Sequence, residues 1–165
     1  MSERIEHLKS CLAEKEELLE QLLLVLGEEQ SCITGHDVNG IESNRQRKLQ
    51  LLDHLGAKTS ECRMALQSAA EELNITAPPK LSLIIAVLKT PLRDSFVKIQ
   101  QKILQLGDSV VRNNRRNRDL LYGSLKAVKS SLEFFNGSQA KSCTYCDTGR
   151  MASGMTGGRL LHGEI

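Results

Sequence analysis

The chain has 165 residues, 40% hydrophobic and 25% charged, with a formal net charge of +2. That is long enough for one domain with a buried core, and too nearly neutral in total for a dedicated nucleic-acid binder. Aromatic residues make up only 3% and Trp is absent, so Leu, Ile and Val must do the packing, the economy of a helical bundle and not of a sandwich or barrel.

Charge is unevenly spread. Residues 1–30 carry eight Glu against Arg4, Lys9 and Lys15, a balance of −5, and residues 112–129 carry Arg112, Arg115, Arg116, Arg118, Lys126 and Lys129 against Asp119, a balance of +5. Either the two surfaces lie near each other or each meets a partner. Met1–His7 is polar and has no apolar signal core. The apolar runs Leu22–Leu26 and Leu83–Leu88 are too short to cross a bilayer. The expectation is a cytoplasmic chain whose five cysteines stay reduced.

All three prolines lie between residues 78 and 91, and half of the twelve glycines lie after residue 136. This divides the chain into a helical bundle over 1–136 and a Gly-rich tail over 137–165. The helices are expected at about 2–30, 38–75, 81–89 and 91–136. In the first, Ile5, Leu8, Leu12, Lys15, Leu19, Leu22 and Leu26 recur at spacings of three and four, interrupted only by Lys15, with Ser2 as N-cap. A turn near Thr34–Gly40 leads to a second series: Val38, Ile41, Arg45, Lys48, Leu52, Leu55, Thr59, Cys62, Leu66, Ala69 and Leu73. Two long helices joined by a short turn make an antiparallel hairpin.

Pro78-Pro79 stops the second helix. Leu81–Leu88 reads equally as a buried strand or a short helix; helix is favoured because no other strand candidate exists to pair with it. Thr90-Pro91 suits an N-cap followed by a first-turn proline. The last long series runs Phe96, Ile99, Ile103, Leu106, Val110, Asn113, Asn117, Leu120, then slips one residue to Leu121, Leu125, Val128, Leu132 and Phe135. A helix over 92–135 would be roughly 65 Å long. The fold class is all-α: an elongated helical hairpin completed by a third long helix, in the manner of a coiled coil, with a flexible tail.

Enzymatic constellations are missing: there is no phosphate-cradling Gly loop and no nucleophile elbow. Glu14, Glu16, Glu17 and Glu20 are spread around their helix like a solvated face. Cys143-x-x-Cys146 stands alone, whereas a structural zinc usually takes two such pairs, and a thioredoxin-type pair needs a sheet. Cys11, Cys32 and Cys62, and the four histidines, show no ligand spacing in one dimension. No catalytic residue, metal or cofactor is therefore expected. The basic run Arg112–Arg118 lacks the interleaved aromatics that stack on bases.

Asn113 and Asn117 fall on the seam, with Asn114 beside it. A buried Asn sets register in a coiled coil; the competing reading is a local polar layer without functional meaning. If the last helix outruns its hairpin partner, Leu125, Val128, Leu132, Phe134 and Phe135 form an exposed apolar surface of the kind that marks a binding site.

Asn114-Arg115-Arg116-Asn117-Arg118-Asp119-Leu120-Leu121 resembles the Asn-x-x-Asn-x-x-Leu-Leu signature of flagellar export chaperones of the FlgN type. Lys48-Leu49-Gln50-Leu51-Leu52 resembles that family's Lys-x-x-Leu-Leu stretch. Thr144-Tyr145-Cys146-Asp147-Thr148-Gly149 resembles its Tyr-Gly motif, with Cys146 where the family usually has Gly. The resemblance implies a cytoplasmic chaperone that acts without catalysis. It would hold hook–filament junction subunits, of the FlgK and FlgL type, by their terminal helices and pass them to the cytoplasmic domain of the type III export gate. It implies client contacts at Leu120, Leu121, Leu125, Val128, Leu132 and Phe135, and in the tail at Leu160 and Leu161. It also implies export-gate docking through Tyr145, with Cys143 and Cys146 incidental. A coiled-coil adaptor without an export role is the alternative.

Overall fold

A computed structural model of the chain describes residues 3–139, with side chains as far as Gly137. Four helices follow in order: α1 (Glu3–Thr34), α2 (Val38–Glu72), α3 (Leu81–Val87) and α4 (Leu92–Gln139). Among the described residues there is no strand, so the apolar segment after Pro79 is a helix, with Ile84 and Ile85 buried. No described helix is long and apolar enough to cross a membrane.

The α1–α2 turn uses three residues. His36 takes a left-handed backbone (φ 56°), while Asp37 N–H bonds Cys32 O at 2.9 Å and His36 N–H bonds Ile33 O at 3.3 Å. This is a Schellman close, which satisfies the carbonyls of the final turn. Asp37 then caps α2, its carboxylate accepting from Gly40 N at 3.0 Å. The second helix ends the same way: Asn74 is left-handed (φ 54°), and Ile75 N–H reaches back to Ala70 O at 2.9 Å. Asn is the commonest non-Gly residue to tolerate that conformation.

Two units are distinguished, one ending at Leu120 and one beginning at Leu121. The core of the first gathers Ile5, Leu8, Cys11 and Leu12 of α1, Cys62, Ala65 and Ala69 of α2, Ile84, Ile85 and Leu88, and Phe96 of α4. Alanines on α2 let its backbone approach closely, and Phe96, fully buried, fills the space left between the helices. Burying such a ring is worth about 2–3 kcal/mol. Further along, α1 buries Leu19, Leu22, Val25, Leu26 and Ile33. The described part of the second unit, residues 121–139, is the final stretch of α4.

Three local expectations are corrected. In α2 the buried residues are Asn44, Cys62, Ala65, Ala69 and Ala70; Val38 and Leu52 are exposed. A seven-residue repeat drifts by about 20° per heptad against the real helical period, so the apolar series leaves the buried face toward the start of α2 and Asn44 takes its place. Thr90 is not the N-cap of α4: the helix starts at Leu92, and Pro91 O accepts the bond from Ser95 N–H at 3.2 Å. Finally, α1 continues past residue 30 to Thr34, and α4 continues through Asn136-Gly137 to Gln139. The expected cap Ser2 lies outside the described residues.

Candidate functional site

On α4 the residues Leu121, Leu125, Val128, Leu132 and Phe135 are all exposed, from 38% at Leu121 to 67% at Leu125. At ~100° per residue they occupy an arc of about 80°, and Asn117 falls on the same arc. Leu121 follows Asn117 by four residues, so the expected one-residue slip is not needed. Leu120 stands to one side of this arc, half-buried. Phe134 and Phe135 meet edge to face, with ring centroids 5.9 Å apart. Five large apolar side chains on one narrow face exceed the scattered exposure normal for a soluble protein. Around them the helix is basic and polar, with Lys126 and Lys129 exposed and Lys129 paired to Glu133 at 4.0 Å.

Just before this stripe lies a buried polar seam. Asn117 is 2% exposed; its amide Nδ2 donates to Leu26 O at 2.7 Å and to Glu29 Oε2 at 2.9 Å. Glu29, 3% exposed, accepts from Lys48 Nζ through its other oxygen at 2.5 Å. The seam therefore joins α4, α1 and α2 in one charge-assisted network. Asn117 Oδ1 is buried with no partner. Separately, Asn44 donates to Cys32 Sγ at 3.5 Å and accepts from Arg47 Nη1 at 3.2 Å, and Arg47 also pairs with Glu28. Asn113 bonds back to Ser109 O of its own helix at 2.9 Å, and Asn114 is exposed.

The acidic face of α1 is only partly solvated. Lys102 of α4 pairs with Glu20 at 2.9 Å and reaches Glu16 at 3.9 Å. Lys58 of α2 pairs with Glu14 and Glu61, both at 2.6 Å. The hydrogen bonds from Lys58 hold both carboxyls below their ordinary range and push the Lys58 ammonium up. Asn117 apart, the basic run stays on its own helix: Arg112 bonds Ser109 at 3.2 Å, Arg118 pairs with neighbouring Asp119 at 3.5 Å, and Arg115 and Arg116 are exposed.

One cluster had no one-dimensional signature beyond a spacing of four. Cys11 Sγ lies 3.7 Å from His7 Nε2 and 3.5 Å from Glu61 Oε1. Burial and then the Glu61 carboxylate push the Cys11 thiol up to about 11, so it is neutral at pH 7 and no nucleophile. Cys62, also raised by burial, points its thiol at Cys11 O, 3.3 Å away. His7 and Cys11 stand four residues apart on α1, a spacing not singled out in one dimension, and Glu61 joins them only through the hairpin. Tyr145, Leu160, Leu161, Cys143 and Cys146 lie outside the described residues.

No curated protein and no solved structure matches the chain. A family model described as FlgN protein matches residues 1–153. That span takes in the Lys48 motif, the Asn117 motif, the exposed stripe and Tyr145, and the described residues form helices without a strand: the chain belongs to the FlgN family of flagellar export chaperones.

Proposed function

We propose that this chaperone binds hook–filament junction subunits of the FlgK and FlgL type in the cytoplasm, keeps them from assembling, and delivers them to the flagellar type III export gate. The observation that carries the reading is the apolar face Leu121, Leu125, Val128, Leu132 and Phe135, exposed on one side of a helix. An amphipathic client helix docks on such a face through its own i, i+3, i+4 and i+7 anchors. Leu120, Leu160 and Leu161 complete the client-binding set, and Tyr145 docks at the gate. A tail that orders on the client would give a grip that can be released, because ordering offsets part of the contact energy. Asn117 acts as the register pin of α4 against α1, ahead of Asn113 and Asn114, because it alone of the three is bonded across helices.

The test is a pull-down with purified FlgK- and FlgL-type subunits, whole and lacking their terminal helices. Capture of the whole subunits and not of the truncated ones supports the proposal. Equal failure with both would leave the coiled-coil adaptor as the better reading.

A further inference from the structure

Away from the exposed stripe, three ligand-type side chains converge beside the core. His7 and Cys11 stand four residues apart on α1 and so share a face. Glu61 approaches from α2. The Cys11 sulfur is 3.9 Å from His7 Nδ1, 3.7 Å from His7 Nε2 and 3.5 Å from Glu61 Oε1. One ligand atom from each of the three lies within 4.8 Å of the others. In a tetrahedral zinc site with bonds of ~2.0 Å to nitrogen and oxygen and ~2.3 Å to sulfur, neighbouring ligand atoms are roughly 3.5 Å apart. Two edges of that tetrahedron are thus already close to length, and the third, from His7 to Glu61, is no longer than 4.8 Å.

The surroundings favour the same reading. Glu61 divides its oxygens: Oε2 is held by Lys58 at 2.6 Å and Oε1 faces the sulfur. This is how an outer partner orients a ligating carboxylate. Cys11 is buried and held in the core, whereas His7 is exposed, which supplies both a rigid anchor and an entry path for an ion and its water. Cys62 spends its thiol on Cys11 O and does not compete. Among the described residues this is the one group of three His, Cys, Asp or Glu side chains so disposed. Thiolate with imidazole and carboxylate selects a borderline-soft ion over Mg²⁺ or Ca²⁺.

We infer that His7, Cys11 and Glu61 bind one divalent transition-metal ion of the zinc class, clamping the first turns of α1 to α2. The ion takes the place of the Cys11 proton, which leaves to solvent, and water fills the fourth position. Bound metal stabilises the folded hairpin by mass action, because the unfolded chain does not bring the three ligands together.

The experiment uses the full chain carrying Cys143→Ser and Cys146→Ser, which takes the tail's Cys-x-x-Cys out of the competition. Titration with Co²⁺ is read by thiolate-to-cobalt charge-transfer absorption, and Zn²⁺ is added in a thermal melt. The expected result is one Co²⁺ per chain and a higher Tm with Zn²⁺. Adding His7→Gln, at an exposed position that leaves metal-free helicity unchanged, weakens Co²⁺ binding by on the order of tenfold or more and removes the Tm shift. Absence of the charge-transfer band in the serine background, or a band indifferent to His7→Gln, would overturn the assignment.

Discussion

Lys48 and Asn117 grip the same buried carboxylate from opposite sides, Lys48 at Glu29 Oε1 and Asn117 at Glu29 Oε2. Each belongs to a different stretch resembling a family motif, one on α2 and one on α4. A motif residue far from any ligand can thus be explained by what it holds together. Here α1 supplies the charge, and the other two helices supply the donors that make its burial tolerable.

Removing one donor leaves Glu29 under-compensated. Lys48→Met is expected to cost about 3 kcal/mol, the scale for breaking a buried ion pair from one side. Lys48→Met combined with Glu29→Gln should recover a large part of that loss, since no buried charge remains. Urea denaturation of the two single variants and the double variant measures the coupling.

Asn117→Ala deletes two donated bonds and opens a small void. A loss of about 2–3 kcal/mol is expected. Asn117→Asp, which sets a second carboxylate against Glu29, should lose more. Matching urea midpoints for the two variants would contradict the network.

The hairpin turn makes opposite predictions for neighbouring positions. His36 occupies a left-handed backbone that Gly enters without strain, so His36→Gly is expected to stabilise by about 1 kcal/mol. A Cβ on Gly40 would stand 2.4 Å from Asp37 Oδ2 and 2.7 Å from Cys32 Sγ. Gly40→Ala should therefore disturb the cap and cost about 1 kcal/mol or more. Gly56 has nothing within 4 Å of such a Cβ, and Gly56→Ala should stabilise by about 1 kcal/mol. Thermal melts followed by helical circular dichroism distinguish all three.

Glu42 reports on acid. The bidentate grip of Arg45, at 2.8 and 2.9 Å, and then the bond from Gln46 hold its carboxyl at about 2, against an ordinary 4.5. The folded chain binds fewer protons here than the unfolded chain between those values. The pair's contribution is present above pH 4.5 and is lost as pH falls toward 2. Glu42→Gln should flatten that part of the stability profile and leave the neutral region parallel to the parent. Because the pair is exposed, high salt should shrink the difference.

For the apolar stripe, Leu125→Asp with Leu132→Asp is expected to abolish capture of junction subunits while helical circular dichroism stays nearly unchanged. Collapse of the helical signal instead would mean these positions are core. Tyr145→Ala should leave client affinity unchanged and reduce delivery to the gate, read as secreted junction subunits from cells carrying the variant.

Much of this protein is legible in one dimension. Leu, Ile and Val spacings of three and four, Pro78-Pro79 and the turn at Gly35-His36-Asp37 determine four helices and their order, because helix formation and termination are decided within a few residues. The exposed stripe from Leu121 to Phe135 was equally visible as a pattern. What the pattern did not contain was partner choice. Glu29 looks like any other acid of α1 until Lys48 and Asn117 arrive from distant parts of the chain. Val38 and Leu52 look like core until the real helical period carries them off the seam, and His7-Cys11 is an unremarkable pair until Glu61 closes on it. Secondary structure follows from local backbone preferences. Which charges are buried, and against what, follows from contacts between residues far apart in the chain, and only the packed helices decide that.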